Sequence, residues 1–387
     1  MFKKFKNLIK QKDLSKIGIA NILGNTIAAV FWFVLASISG TEDYGQISYL
    51  VALSSIGATI ALVGGTNPII VFAAKQIKVK TTIFLISISS SIITAIIFII
   101  IFQNTAVSLF IIGFIIFNLT ISEILGRKIF GQYLKYFVVQ KIIMFALGIP
   151  FYYIFGVEGV ILAYALSFFI LIKNAIILFK TEKINFKLFK PKLRFVLNNY
   201  GKEMTYVFSK HVDKLIIAPI FGFTILGNYY LGIQVLMVLT MIPSIVFQYT
   251  LSNDSQGESK REIKKLAIIL SIIFAILGVL ITPFVIPVLF PEYLEAVNLI
   301  QIMCIVIIPR TVSMMCSSKL LGEEKSSPII LSSILFLSIQ IPGIFILGDL
   351  IGINGIAVSL LLGEILQASF LSLSIKRTIK HNYKKWI

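Results

Sequence analysis

The chain has 387 residues, 57% hydrophobic and 13% charged, with a mean hydropathy of +0.95 and a formal net charge of +18. A soluble domain is nearer half apolar and a quarter charged, so a soluble globular fold is excluded. Apolar runs of about 20 residues, the length that crosses a bilayer as a helix, recur along the whole chain and predict an all-α polytopic membrane protein.

In chain order, residues 1–16, MFKKFKNLIKQKDLSK, set Phe2, Phe5 and Ile9 at helical spacing among lysines. That pattern suits an interfacial N-terminal helix, with a solvated tail as the alternative. The first apolar run is too long for a signal-peptide core and ends without a small-residue cleavage site. Twelve spans are expected, at 17–39, 45–74, 81–102, 106–126, 135–155, 157–179, 200–222, 225–249, 264–287, 294–317, 327–347 and 352–375. The second is expected to break at Gly64-Gly65-Thr66-Asn67-Pro68, and Pro150, Pro243, Pro283, Pro287, Pro309 and Pro342 are expected to break others.

The connections alternate in charge. One set holds nearly all of the 35 Lys and Arg, including Lys75, Lys78 and Lys80, then Arg127, Lys128 and Lys135, then the seven basic residues of 180–202. The other set holds only acids: Glu42, Asp43, Glu158, Glu292, Glu295 and Asp349. This positive-inside pattern puts both termini in the cytoplasm and predicts a multi-pass protein of the cytoplasmic membrane. It also accounts for the basic surplus, with some attraction to anionic membrane lipids, and leaves nucleic acid without a role as partner. The segment 180–199 is the largest basic connection. It divides the chain into an N-lobe of six spans at 17–179 and a C-lobe of six spans at 200–375, followed by a tail at 376–387.

Enzymatic chemistry finds no foothold. Cys304 and Cys316 share one apolar run, and His211 and His381 are too few and too distant for a metal cluster. No phosphate-binding loop, nucleophile elbow, zinc-protease motif or dinucleotide fingerprint occurs, and no cofactor is implied. A membrane glycosyltransferase or polymerase would need catalytic residues on a sizeable outer loop, and the outer loops are turns.

The two lobes echo each other. GTEDYG, Gly40 to Gly45, is matched by GFTILG, Gly222 to Gly227; Gly156-x-x-Gly159 is matched by Gly352-x-x-Gly355. Glycine permits the positive φ that a minimal turn requires. Two matches in register, in halves of the same polarity, indicate parallel repeats, which place a substrate site between the lobes near the midplane.

The stretches ASISGTEDYGQISYLVAL and KHVDKLIIAPIFGFTILGNYYLGIQVL resemble the multidrug/oligosaccharidyl-lipid/polysaccharide (MOP) flippase superfamily, and within it the polysaccharide, O-antigen (Wzx-type) branch. The resemblance covers essentially the whole chain. It implies a MATE-like fold and translocation of a polyprenyl-pyrophosphate-linked oligosaccharide to the outer leaflet for surface polysaccharide biosynthesis. Polysaccharide polymerase and assembly proteins would be partners, and any coupling ion, H+ or Na+, stays open. A cation-coupled multidrug exporter of the same superfamily is the alternative. It is disfavoured because the first span has no acid and the seventh is net basic.

The seventh span carries SKHVDKLI, Ser209 to Ile216. At about 100° per residue, Glu203, Tyr206, Asp213 and Lys214 all project within about 60° of Lys210, with His211 about 100° away. A charge at the bilayer centre costs at least about 2.5–3.5 kcal/mol, so this face must line a wet cavity or meet partners. In the first reading Lys210 and Lys214 bind an anionic headgroup. In the second, Asp213 neutralises one lysine and Glu364 the other in a buried network. Asp213 and His211 are the candidates for coupling, and Glu364 for charge pairing. Arg310, after Pro309, and Asn25, one turn from Asn21, are further candidates for contacting substrate. Lys141, Lys173 and Glu123 are expected to snorkel from shallow positions.

Overall fold

The computed structural model describes residues 12–258 and 260–384, and these are almost entirely helical. In chain order the helices are α1 Lys12–Ala61, α2 Thr66–Ala74, α3 Lys80–Phe102, α4 Thr105–Gly126, α5 Phe130–Phe168, α6 Ile172–Thr181, α7 Phe186–Phe189, α8 Leu193–Phe221, α9 Phe223–Asp254, α10 Arg261–Leu289, α11 Ala296–Gly322 and α12 Ser327–Lys384. The interfacial pattern of Phe2, Phe5 and Ile9 lies outside the described residues.

By length and apolarity eight helices qualify as membrane spans. The difference from the twelve expected has two physical sources. Three of the eight are hairpins whose helices meet at a glycine of positive φ: Gly40 at 69°, Gly156 at 63° and Gly352 at 60°. The long helix α8 carries Arg194, Lys202, Glu203, Lys210, His211, Asp213 and Lys214 and does not qualify as a span by apolarity. A turn of one residue suffices where no Cβ obstructs the left-handed conformation.

The prolines behave differently from expectation. Pro150, Pro243, Pro283, Pro287, Pro309 and Pro342 all lie inside helical segments that continue on both sides of them. Local adjustment and neighbouring helices re-satisfy the carbonyl that each proline leaves without a donor. The break at Gly64-Gly65 does occur, with Gly64 at φ 66° and α2 restarting at Thr66. The basic segment 180–199 is also more helical than a loop. Asn185 caps α7 by accepting from Leu188 N at 3.0 Å, a 3-10 turn spans Lys190–Lys192, and α8 begins at Leu193.

Two compact units emerge. The first comprises the residues up to Leu35 and Ile47–His211; the second comprises Ala36–Gln46 and Val212–Ile387. Unit 1 packs α4 through Phe110, Ile111, Ile115 and Leu119, with Phe110 edge-on to Tyr164 and Phe168 of α5. Unit 2 packs α11 through Leu299, Ile300, Met303 and Ile307. Here the glycine repeat has a structural meaning. A Cβ on Gly45 would collide with the Phe223 carbonyl oxygen, and a Cβ on Gly227 with that of Thr41. The two hairpin glycines therefore let two backbones approach reciprocally inside unit 2. Tyr293 seals the spot by donating to the Gly40 carbonyl at 2.7 Å.

Candidate functional site

The helix α8 passes from one unit to the other between His211 and Val212, in the middle of SKHVDKLI. Lys210 and His211 belong to unit 1, Asp213 and Lys214 to unit 2. Lys210 is exposed and its Nζ lies 5.6 Å from the Tyr206 ring centroid, one turn earlier on the same face. His211 is half-buried.

Asp213 and Lys214 are both 4% exposed. Adjacent helical residues do not face each other, so the pair forms because the lysine stem curls back. Lys214 Nζ donates to both Asp213 carboxylate oxygens, at 2.9 and 3.1 Å. The Tyr229 hydroxyl of α9 donates to Asp213 Oδ2 at 2.6 Å, while its ring centroid lies 6.0 Å from Lys214 Nζ. Tyr229 also meets the Gln340 side chain of α12. Glu364 pairs with Arg310 rather than with a lysine: Nε donates at 2.8 Å and Nη2 lies 2.6 Å away. The Glu364 side chain is 7% exposed and that of Arg310 is 27% exposed. Arg310 sits about 20 Å along α11, near its middle.

Unit 2 thus holds Lys214 and part-buried Arg310 against two buried carboxylates, and these four charges sum to zero. Such a network survives in low dielectric because each charge is paired and hydrogen-bonded. It also has a defined chemistry. A phosphate offers Arg310 or Lys214 the acceptor oxygens that a carboxylate offers. An incoming anion can therefore take over a cation and release Asp213 or Glu364.

Unit 1 meets its polar groups differently. Asn25 is exposed on α1, while Asn21 accepts from Tyr133 OH at 3.4 Å. Glu203 accepts from Thr66 and, at 3.4 Å, from Asn67, so the restart of α2 is tied to the first half of α8. Lys141 has aromatic neighbours. It lies about 16 Å into α5, with Nζ 5.5 Å from the Tyr164 ring and 6.0 Å from the Phe137 ring. Aromatic faces stand in for a counter-ion there. Glu123 does lie near a helix end, but it is buried and binds Lys80 at 3.0 Å and Arg127 at 2.6 Å.

Sequence reasoning missed Tyr229 and the Arg310–Glu364 pair, whose members are 54 positions apart.

No protein-family model and no curated protein sequence matches the chain. Solved structures do. A multidrug resistance MATE family transporter of the MOP superfamily, in its inward-facing conformation, superposes with a TM-score of 0.72 at 14% identity, over 96% of this chain and 99% of that one. A Vibrio cholerae MATE transporter superposes at 0.60 with 13% identity, over 97% and 98%. The lipid II flippase MurJ superposes at 0.74 with 12% identity, over 93% and 87%. The chain therefore has the fold shared by MATE transporters and MurJ.

Proposed function

We propose that this protein is a flippase that carries a polyprenyl-pyrophosphate-linked oligosaccharide across the cytoplasmic membrane by alternating access, in the manner of the O-antigen branch of the MOP superfamily. The observation that carries the reading is the ionic constellation of Asp213, Lys214, Arg310 and Glu364 within unit 2, with Lys210 exposed one turn before Lys214 on the same helix. Its cations suit a pyrophosphate, and its carboxylates hold two of those cations when no substrate is bound. The fold shared with a lipid II flippase supports a lipid-linked substrate.

In this mechanism Lys210, exposed on α8, is the first contact for the diphosphate. Arg310 and Lys214 then exchange their carboxylates for phosphate oxygens. Asp213 and Glu364 become available to take a proton, and His211, two positions from Asp213 in sequence, is a relay. Asn25 hydrogen-bonds sugar hydroxyls. The prenyl tail stays in lipid throughout.

Export complementation at matched protein level tests this. Lys210→Ala, at an exposed position, is expected to abolish export while the protein still folds and inserts, and Lys210→Arg is expected to keep part of it. Normal export by Lys210→Ala would remove this cation from the mechanism. A cation-coupled drug exporter is the second reading, favoured by the buried Asp213 carboxylate with its Tyr229 donor. It predicts Asp213-dependent drug resistance and no defect in lipid-linked sugar export.

A further inference from the structure

Each unit turns back twice at the end where the basic loops lie, and the backbones of these turns correspond. In unit 1, Arg127 N donates to Glu123 O, Lys128 N to Leu125 O and Ile129 N to Ile124 O. In unit 2, Glu323 N donates to Lys319 O, Glu324 N to Leu321 O and Lys325 N to Leu320 O. Lys128 and Glu324 take the same left-handed conformation, φ 61° and 60°. The neighbouring turns correspond too: Ile77 N reaches Phe72 O as Glu258 N reaches Asn253 O, with Gln76 at φ 54° and Gly257 at 78°. Gly126 packs on Ala73 where Gly322 packs on Asp254.

On this shared backbone the side chains differ in sign. Gly126-Arg127-Lys128 in unit 1 stands where Gly322-Glu323-Glu324 stands in unit 2. In unit 2 the Asp254 carboxylate accepts from Lys264 and Ser318, Glu258 pairs with Lys260 and Glu323 with Lys325. In unit 1 the place of Asp254 belongs to Ala73. A cavity of about 540 Å³ opens there, lined by Gln76, Lys78, Lys80, Arg127, Lys128 and Glu182 among others. Its floor is fixed: Lys80 is buried between Glu123 at 3.0 Å and Glu182 at 3.4 Å, and Arg127 holds Glu123. Its lip is not neutralised. Among the described residues, no carboxylate lies within 4 Å of Lys78 or Lys128. Topology alone does not explain this, because both turns belong to the same set of basic connections and one of them is balanced.

We propose that this cavity of unit 1 is a phosphate-binding site for a phosphate-bearing ligand, either the headgroup of an anionic phospholipid or a soluble phosphate. Lys78 and Lys128 grip the phosphate and Gln76 hydrogen-bonds it, above a floor in which Lys80 and Arg127 are balanced by Glu123 and Glu182. Two lysines without a carboxylate partner at one mouth attract such an anion more strongly than scattered basic residues do. The site is separate from the translocation constellation and does not rest on it.

The test compares the full-length protein with Lys78→Ala/Lys128→Ala and with Lys78→Arg/Lys128→Arg. Both lysines are exposed, so folding should survive; Lys260→Ala/Lys325→Ala in unit 2 is the control. In one arm, native mass spectrometry counts phosphatidylglycerol retained from nanodiscs that mix it with phosphatidylcholine. In the other, protein in neutral detergent is titrated with inorganic phosphate against chloride at equal ionic strength, and the melting temperature is followed. A lipid ligand predicts preferential phosphatidylglycerol retention that falls about tenfold or more in the alanine pair and persists in the arginine pair and the control. A soluble ligand predicts a phosphate-dependent rise in melting temperature that the alanine pair alone loses. Indistinguishable behaviour of wild type and alanine pair in both arms overturns the site. Neither arm measures transport, so its failure would leave the flippase reading untouched.

Discussion

Lys214 in unit 2 and Lys141 in unit 1 are both deep lysines, and they are held in opposite ways. Lys214 is buried against a carboxylate that has its own tyrosine donor. Lys141 is half-buried and lies over the rings of Phe137 and Tyr164, and no carboxylate comes within 4 Å of it among the described residues. A carboxylate partner makes each charge depend on the other, so losing one leaves the other stranded in low dielectric. An aromatic partner is neutral and is not stranded. The two lysines thus differ in what their loss leaves behind, and the site with the paired charges should be the brittle one.

The largest effect should come from breaking a pair in unit 2. Glu364→Ala leaves Arg310 without its carboxylate, and Lys214→Met leaves Asp213 without its cation. Each is expected to cost about 3–5 kcal/mol, read as a lower melting temperature and a smaller monodisperse fraction in neutral detergent. Arg310 is the more exposed cation, so Glu364→Ala should fall at the lower end. Near-wild-type stability of both variants would dissolve the contrast between the units.

The next effect tests packing where the repeats agree. Gly227→Ala drives a methyl into the Thr41 carbonyl, whereas Gly201→Ala on α8 meets nothing within 4 Å. Overpacking costs about 1–3 kcal/mol, while an exposed helical Gly→Ala gains up to about 1 kcal/mol. The two alanines should therefore move the melting temperature in opposite directions. Movement in the same direction would mean that the hairpin backbones do not approach as closely as Gly45 and Gly227 permit.

A smaller effect is expected from Lys141→Met. The thioether keeps the stem's volume and no anion is abandoned, so the change should stay within about 1 kcal/mol. A loss equal to that of Lys214→Met would show that Lys141 has an acidic partner.

Helix positions, the hairpin glycines and the polar face of α8 were legible in the sequence because each is a local pattern: an apolar length, a glycine spacing, a 3.6-residue period. The bounds of α3 and α4 differ from expectation by a single residue. The prolines do not end their helices, because the cost of a proline in a helix depends on neighbours that one segment does not contain. Tyr229 was invisible for the same reason. A tyrosine in an apolar run has no signature until α9 is packed beside Asp213. The choice of Arg310 over a lysine for Glu364 is likewise a property of helices brought together, as is a cavity that exists because Ala73 occupies the place of Asp254.

The smallest effect on stability is expected from exchanging charge at the turn of unit 2. Glu323→Arg/Glu324→Lys gives it the Arg-Lys pair of unit 1 on a backbone that already has Glu324 in the left-handed conformation. The one ion pair lost, Glu323 with Lys325, is largely exposed, at 34% and 41%, and such pairs contribute about 0–1 kcal/mol. Stability should change little, and orientation should not change, because the added charge falls on a basic connection. The informative outcome concerns the phosphate ligand. Asp254 still occupies the space that is open beside Ala73 and still neutralises Lys264. Added cations alone should therefore not create a second phosphate site, and phosphatidylglycerol retention should stay at the wild-type level. Retention that rises to two lipids per protein would show that charge suffices without the cavity, and the difference between the two turns would reduce to sign alone.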